Sequence, residues 1–315
     1  MRLFLFILFI FLFVNTQGQD IHFSQFKNAK SNINPALTGV QESDFLSILQ
    51  RRSQWSSISD PFKTISLSLY AKEVYKKYSL GISFINDIAG LSNFTTNGLN
   101  LSTSLKLLNQ KKQFFLIGAG LGAFQRSYDF NYLTFYDEEQ LVNNNIFFID
   151  LSFGGFFSRR LNNLSVAQVG FSAYHINNPN QSFSALYKLK TPVKYIFHFD
   201  LKTKYNNLQV TPSIYYSYQS KEKELIYGFE LGDEKNKFSL PLKFSGALYI
   251  RDNDAIIPQF AVSYDNMEFY LSYDINISEL SKASNNYGGL EFSILYHWKT
   301  KREKEKNKFI CPRYL

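Results

Sequence analysis

The chain has 315 residues, of which 45% are hydrophobic and 17% aromatic, with 34 lysines and arginines against 26 acidic residues. Its 32 phenylalanines and 21 tyrosines suit a protein with many strands and exclude a disordered chain. The surplus positive charge is spread over turns and the C-terminal tail. It forms no aromatic-basic patch, which makes a nucleic-acid-binding role unexpected.

The first eighteen residues have the parts of a secretory signal peptide. Arg2 precedes twelve apolar residues, 3–14, and small residues follow at Thr16 and Gly18, in the −3 and −1 positions of a cut after Gly18. The apolar run is shorter than the roughly 20 residues that a transmembrane helix needs. We therefore predict export and removal of residues 1–18, with a retained membrane anchor as the alternative.

Residues 19–43 precede the first predicted strand. We expect them to form an N-terminal periplasmic segment or a plug inside the lumen of the structure that follows.

From residue 44 to residue 299 the dominant period is two. Between 267 and 278, for example, apolar or aromatic residues alternate with a mainly polar set, and in a strand these sets point to opposite faces. One face suits hydrocarbon and the other suits water. We predict about 14 such strands, with 12 as the alternative because the first segment alternates poorly. The segments are 44–52, 62–71, 78–87, 94–107, 113–126, 146–159, 164–175, 191–203, 208–219, 223–231, 238–250, 255–264, 267–277 and 289–299.

The gaps between these segments differ in length in a regular way. The long gaps 127–145, 176–190 and 278–288 all fall at the same end of the predicted strands, and the gaps at the other end are short. Barrels of the outer membrane have short periplasmic turns and longer outer loops. The sequence therefore predicts an all-β fold, a transmembrane antiparallel up-and-down β-barrel over 44–299, with both termini in the periplasm. A soluble sandwich or propeller is the alternative.

Glycines line one face of the strand 113–126. Gly118, Gly120 and Gly122 alternate there, and no Lys-Ser/Thr pair follows, so they do not form a phosphate loop. Such a stripe allows a neighbouring chain or plug to approach closely, or curves the barrel wall. The same holds for Gly154 and Gly155.

Short motifs at both ends of the mature chain resemble one protein family. They are Gln19-Asp20-Ile21-His22-Phe23-Ser24-Gln25, Asn34-Pro35-Ala36 with Gly39, Arg51 with Gln54 and Trp55, the segment 80–90, Tyr273-Asp274-Ile275-Asn276, Gly289-Leu290-Glu291-Phe292-Ser293, and Cys311-Pro312-Arg313-Tyr314. Their order and placement resemble the PorP/SprF family of type IX secretion and gliding-motility proteins.

The resemblance implies an outer-membrane protein whose partners are type IX secretion components and a secreted surface protein, such as a large adhesin. Members of the family help to deliver or hold such an adhesin, or link the periplasmic ring of the machinery to the outer membrane. The motif residues are the candidate partner-binding residues: Phe23, Gln25, Asn34, Pro35, Trp55, Cys311, Pro312 and Arg313. The charged tail 300–315 is either a solvated periplasmic extension or a docking segment.

The chemistry-bearing residues favour binding over catalysis. The four histidines, His22, His175, His198 and His297, include no pair with the spacing of a zinc motif. Ser293 shares a strand face with His297, as in some barrel hydrolases, but a polar lumen lining explains both. We expect no enzyme, no cofactor and no metal. A channel or porin for small solutes is the alternative function.

Overall fold

The computed structural model describes residues 20–54, 62–90, 93–129, 144–184, 187–233, 242–278 and 287–300. The predicted signal peptide, Trp55 and the tail beyond residue 300 lie outside these ranges.

Fourteen antiparallel strands among the described residues close into a barrel, in which each strand pairs with its sequence neighbours and the first pairs with the last. This confirms the predicted barrel and its count of 14 strands rather than 12. The strands are β1 (Phe45–Gln54), β2 (Phe62–Tyr75), β3 (Tyr78–Ala89), β4 (Phe94–Asn109), β5 (Gln113–Ser127), β6 (Asn145–Arg160), β7 (Ser165–Tyr174), β8 (Lys194–Tyr205), β9 (Leu208–Gln219), β10 (Glu222–Asp233), β11 (Leu242–Arg251), β12 (Ala255–Tyr264), β13 (Met267–Asn276) and β14 (Tyr287–Trp298).

Two strands, β8 and β11, begin more than two residues away from the predicted start. β8 begins at Lys194 instead of residue 191, because Pro192 has no N–H to donate to a strand ladder. β11 begins at Leu242, and the predicted residues 238–241 lie outside the described part of the chain.

The alternation in the sequence corresponds to the two faces of the wall. In β2, Ile65, Leu67 and Leu69 are exposed on the outside, and the intervening Ser66 and Ser68 are buried in the lumen. An apolar outer face of this kind is stable in contact with lipid. Among the described residues, no helix is long and apolar enough to cross a bilayer.

β1 alternates poorly because part of its inner face is also apolar. Leu46 and Ile48 point into the lumen and pack in one cluster with Tyr70 and Leu295. The inner wall is therefore not uniformly polar, since part of it packs against other protein groups instead of water.

The connections sort by length as expected, which defines two ends of the barrel. The long-loop end carries the connections 128–144, 175–193 and 277–286, and the short-turn end carries two-residue turns such as 206–207 and 265–266. Asn206 and Asp265 have positive φ angles, of 55° and 51°, which tight hairpins require. One connection at the short-turn end, 234–241, is longer and has eight residues.

Residues 20–43 lie inside the barrel and are called the plug below. The plug consists of short helical turns, at Phe26–Asn28, at α1 (Lys30–Ile33) and at Pro35–Gly39. Its apolar side chains pack in one core with inward-facing wall residues, and this core contains Phe26, Ile33, Ala36, Leu37, Leu116, Phe156, Tyr174, Ile196, Tyr215, Ile226, Tyr249, Ala255 and Ile257.

The plug runs along the lumen from one end to the other. Asp20 contacts His175, which directly follows β7 at the long-loop end. Asp44 accepts a hydrogen bond from the backbone N–H of Thr300 at the short-turn end, at 2.8 Å. The expectation of both termini in the periplasm concerns residues outside the described ranges. The described residues nearest to them, Asp20 and Thr300, lie at opposite ends.

The glycine pattern reflects contact with the plug at two positions. A Cβ atom added at Gly118 would overlap the backbone nitrogen of Ala36, and one added at Gly154 would overlap the amide oxygen of Asn34. A Cβ at Gly120 would instead meet Ser152 of the neighbouring strand. The interpretation as an approach surface for a plug is therefore confirmed at Gly118 and Gly154.

Replacing Gly118 with alanine is expected to destabilise the barrel. The added methyl group meets backbone, which cannot rotate away, and overpacking of this kind costs about 1–3 kcal/mol. Gly155→Ala is the matched control, because its nearest neighbour would be Phe115 at an ordinary 3.7 Å. Urea unfolding of both variants in detergent micelles measures the difference. Equal stabilities would contradict the close packing of the plug.

Candidate functional site in the lumen

Four charged side chains on the inner wall form a buried network near the long-loop end. Arg52 of β1 binds Asp274 of β13 at 2.8 Å and Glu291 of β14 at 3.0 Å. Arg251 of β11 binds the same Asp274 oxygen at 3.1 Å. These four side chains are at most 5% exposed. The network joins β1, β13 and β14, and thus spans the seam where the barrel closes.

The plug completes this network. The backbone N–H of Ser24 donates to Glu291 at 2.7 Å, and that of Gln25 donates to the other carboxylate oxygen at 3.1 Å. The Ser24 hydroxyl donates to Asp274 at 2.8 Å and accepts from Arg251 at 2.7 Å. It also accepts from Arg52. Ser24 therefore bonds to all four wall residues.

The side chain of Gln25 extends the same contact along β13 and β14. Its amide nitrogen donates to Ser272 at 3.1 Å and to the backbone carbonyl of Glu291 at 3.0 Å, and its amide oxygen accepts from Ser293 at 2.5 Å. Every polar atom of this buried amide has a partner, as burial requires.

Charges buried in this way require partners, because moving an ion out of water costs several kcal/mol unless other groups replace its solvation. Two wall cations face two wall carboxylates, and the plug supplies the additional hydrogen bonds. A wall without the plug would expose these charges to a wide lumen. The plug is therefore part of the folded structure of the barrel.

A second attachment uses the Asn34-Pro35 motif. The Asn34 side chain donates to the carbonyl of Gly155 at 2.9 Å and to that of Phe171 at 3.3 Å. Its oxygen accepts from the backbone N–H of Ala36 at 2.9 Å and so caps the turn Pro35–Gly39. Pro35 suits the first position of that turn, which needs no N–H donor.

Lys27 forms a third attachment. Its ammonium lies 3.2 Å from Glu230 and 3.5 Å from Asp200, and 5.5 Å from the centre of the Tyr249 ring. Burial would lower the pKa of Lys27, but Tyr249 and these two carboxylates outweigh it and raise that pKa. Lys27 is therefore charged at any physiological pH.

A fourth attachment lies at the long-loop end, where His175 is held between two carboxylates. Its Nδ1 is 2.8 Å from Asp150 of β6, and its Nε2 is 2.8 Å from Asp20 of the plug. Burial would lower the pKa of His175, but the hydrogen bonds with Asp150 and Asp20 outweigh it and raise that pKa to about 9. The protonated imidazole donates to both carboxylates and links the start of the plug to the wall.

The plug leaves a cavity of about 630 Å³ at the long-loop end. Its lining includes His22 and Arg126 together with Asp87, Glu224 and Asp254, so it carries both signs of charge. Among the described residues, no three His, Cys, Asp or Glu side chains are arranged to hold a metal ion.

The predicted partner-binding residues fall into two groups. Phe23, Gln25, Asn34 and Pro35 are buried in the plug, where the side chains of Gln25 and Asn34 also bond to the barrel wall. The others lie outside the described residues, namely Trp55, Cys311, Pro312 and Arg313.

Of the two arginines that precede Gln54 and Trp55, the structure places Arg52, and not the motif residue Arg51, in the lumen. Arg52 points into the lumen and binds Asp274 and Glu291, whereas Arg51 is exposed on the outer face. Strand alternation places these two neighbouring arginines on opposite faces, so the period of two in the sequence could have predicted which of them faces the lumen. Arg251 was missed because no motif marks it.

Ser293 and His297, which share the inner face of β14, both contact the plug. Ser293 donates to Gln25, and His297 lies 3.1 Å from the Ser43 hydroxyl and 3.2 Å from Glu268. The two side chains form no hydrogen bond with each other in the described part of the chain. Both face the lumen, as a polar lining predicts.

Comparisons with known proteins identify one family and one class of fold. The profile of the family described as "Type IX secretion system membrane protein PorP/SprF" matches residues 15–296. No curated protein sequence matches the chain. Among solved structures, the Pseudomonas putida toluene transporter TodX is similar with a TM-score of 0.51 at 9% identity, covering 89% of this chain and 95% of that one. A TodX deltaS2S3 mutant, a monoaromatic hydrocarbon channel, is similar with a TM-score of 0.51 at 8% identity, with the same coverage. At this identity the likeness shows the barrel fold alone.

Removing Arg52 is expected to destabilise the protein strongly. Arg52→Met leaves Asp274 and Glu291 buried without one of their cations, and breaking a buried pair in this way costs about 3–5 kcal/mol. Arg51→Met is the matched control on the outer face of the same strand, with an expected effect under about 1 kcal/mol. The free energy of unfolding in urea distinguishes them. Similar losses in the two variants would argue against the network.

The His175 contact makes stability depend on pH. The pKa of about 9 in the folded protein lies above the ordinary histidine value near 6.5, so the stabilisation is fully present below pH 6.5 and is lost as the pH rises through 9. We expect His175→Gln to remove up to about 3 kcal/mol of unfolding free energy at pH 6 and almost none at pH 10.

The variant must be compared with the wild type at each pH, because Lys30 titrates in the same range. Burial lowers the pKa of Lys30 to about 8, so its own contribution to stability rises with pH. A wild-type-minus-variant difference that stays constant from pH 6 to pH 10 would rule out the His175 contact as described.

Proposed function

Because the chain belongs to the family of type IX secretion system membrane proteins PorP/SprF, we propose that it is a plugged outer-membrane barrel that supports the export or surface anchoring of a partner protein such as a large adhesin. It acts as a binding component of the secretion system. Type IX components are its partners in the membrane, and the secreted surface protein is the partner that it holds.

The occupied lumen is the observation that carries this proposal. The plug is bonded to the wall at the Arg52 network, at Asn34, at Lys27 and at His175. An open diffusion channel needs a continuous polar passage, and a fixed, charged plug across the lumen opposes it. A closed, rigid barrel suits a protein that presents a binding surface in the membrane.

The contacts of Ser293 and His297 favour a binding role over catalysis. Ser293 bonds to the plug, and His297 contacts the plug and Glu268, so the two are not paired as a nucleophile and its base. We therefore propose that the protein is not an enzyme.

The proposed orientation follows from loop length. Outer-membrane barrels carry long loops outward and short turns in the periplasm. We place the long-loop end at the cell surface and Thr300, which lies at the short-turn end, towards the periplasm. Asp20 then lies in the lumen near the surface, and the expectation of both termini in the periplasm stays a prediction for residues outside the described ranges.

Loss of the chain is expected to reduce the amount of partner protein at the cell surface. A deletion strain should lose surface display of one large secreted protein, and a copy tagged within the connection 130–143 should restore it. Purification of that tagged copy from solubilised outer membranes should recover the same protein together with type IX components, as identified by mass spectrometry. Unchanged surface display in the deletion strain would refute the proposal.

The purified protein supplies the control for the channel alternative. In planar bilayers it should be electrically silent, whereas a known porin prepared in the same way should conduct. Steady conductance by the intact chain, combined with recovery of the barrel alone in the purification, would support a solute channel instead.

A further inference from the structure

β6 extends beyond the strand that follows it. β5 pairs with β6 along nearly its whole length, from Gln113 opposite Arg159 to Ser127 opposite Asn145. β7 pairs only with the stretch from Phe153 to Arg160. The remaining part of β6, 145–152, therefore lies past the end of β7 at the long-loop end.

The connection after β7 covers only the part of this stretch that lies next to β7, from Ile149 to Leu151. The backbone N–H of Ile176 donates to the carbonyl of Leu151 at 3.1 Å. The Asn177 side chain accepts from the Leu151 N–H at 3.1 Å and donates to the carbonyl of Ile149 at 2.7 Å.

The connection then turns away across the mouth of the lumen. Gln181 accepts a hydrogen bond from Arg126 of β5. Phe183 packs edge-on against Phe94 at 6.0 Å and against Tyr128 at 4.7 Å between ring centres. Because these contacts hold it over the lumen, the connection does not continue along β6.

Among the described residues, the backbone of β6 from 145 to 148 is therefore an edge. Alternate residues of a strand direct their N–H and C=O groups to the same side. Since Leu151 and Ile149 bond towards residues 176–177, Phe147 directs its own groups to that side as well. Among the residues that the structure describes, no strand pairs with Phe147 there, and its side chain is 68% exposed.

This edge lies on the apolar outer surface. Phe147, Ile149, Leu151 and Phe153 form a row of exposed side chains on the outside of β6. Unpaired backbone is costly at the membrane, and barrels avoid it by closing their sheets. Lipid tails cannot supply hydrogen bonds, but an extended polypeptide supplies donors and acceptors at the spacing of a strand.

We propose that residues 145–149 of β6 form a strand-addition site for an extended segment of the secreted partner protein. The added strand pairs with the backbone of Phe147 and places apolar side chains beside Phe147 and Ile149. The site is too short to join two barrels, because stable interfaces between folded proteins bury much larger areas. This inference rests on the proposed function and specifies where the partner binds.

A proline at position 147 tests the backbone contact. Phe147→Pro removes the N–H that faces the edge, and the bonds to β5 are kept because the neighbouring residues make them. We expect about tenfold less partner to be recovered with the tagged barrel, since proline removes a hydrogen bond and obstructs the added strand. Phe147→Val keeps the N–H and is expected to recover the partner at close to the wild-type level.

Folding of the variants is checked by the shift of the folded barrel on unheated gels. A second measurement does not depend on the proline. A photo-crosslinking amino acid replaces Phe147 in one strain and Leu101 in another, where Leu101 is exposed on β4 but has strands on both sides. Crosslinking of the partner from position 147 and not from 101 supports the site.

Four outcomes overturn the inference. A crosslink from position 147 to a second copy of this chain makes the edge a contact between barrels, and the absence of any specific crosslink removes the site. Wild-type display by Phe147→Pro, in cells where complete deletion abolishes display, refutes the site and leaves the proposed function standing. Display that is unaffected by deletion refutes both.

Discussion

The structure depends on charges that are buried in the lumen and must be paired. Arg52, Asp274 and Glu291 cannot be solvated by water at near-zero exposure, so each needs a fixed partner. The wall provides opposite charges, and the plug provides two backbone N–H groups and the Ser24 hydroxyl. The same contacts tie the beginning of the described chain to the strands at its end. The same contacts thus stabilise both the closure of the barrel and the placement of the plug.

The plug gives a physical meaning to the family motifs near the N-terminus. Ser24 and Gln25 hold the charge network, and Asn34 caps a turn while bonding to two strands. These residues act first within the chain, as the groups that fill and fix its lumen. Under the proposed function, a partner protein meets a barrel whose lumen is filled, and its binding surface lies on the outer face or at the long-loop end.

β6 extends past β7 in the outer wall, and β10 likewise extends past β11, which pairs with it only over Ile226–Gly232. Along most of their length the described strands pair on both sides, as lipid requires of a spanning sheet. At Phe147 this regularity stops, because the following connection is drawn across the lumen by Gln181 and Phe183. The contacts that hold this connection over the mouth of the lumen therefore also leave the β6 edge exposed.

The sequence by itself determined the barrel, since alternation of residues such as Ile65 and Ser66 fixes which face meets lipid, and loop length fixes which connections share an end. It also indicated a close approach at Gly118 and Gly154. It left open whether residues 19–43 fill the lumen, and it missed Arg251 and the edge at Phe147, with which no described strand pairs. Those features depend on which of fourteen strands become neighbours and how far each extends, and the pairing of residues more than 200 positions apart leaves no local pattern in the chain. Only the closed tertiary structure decided them.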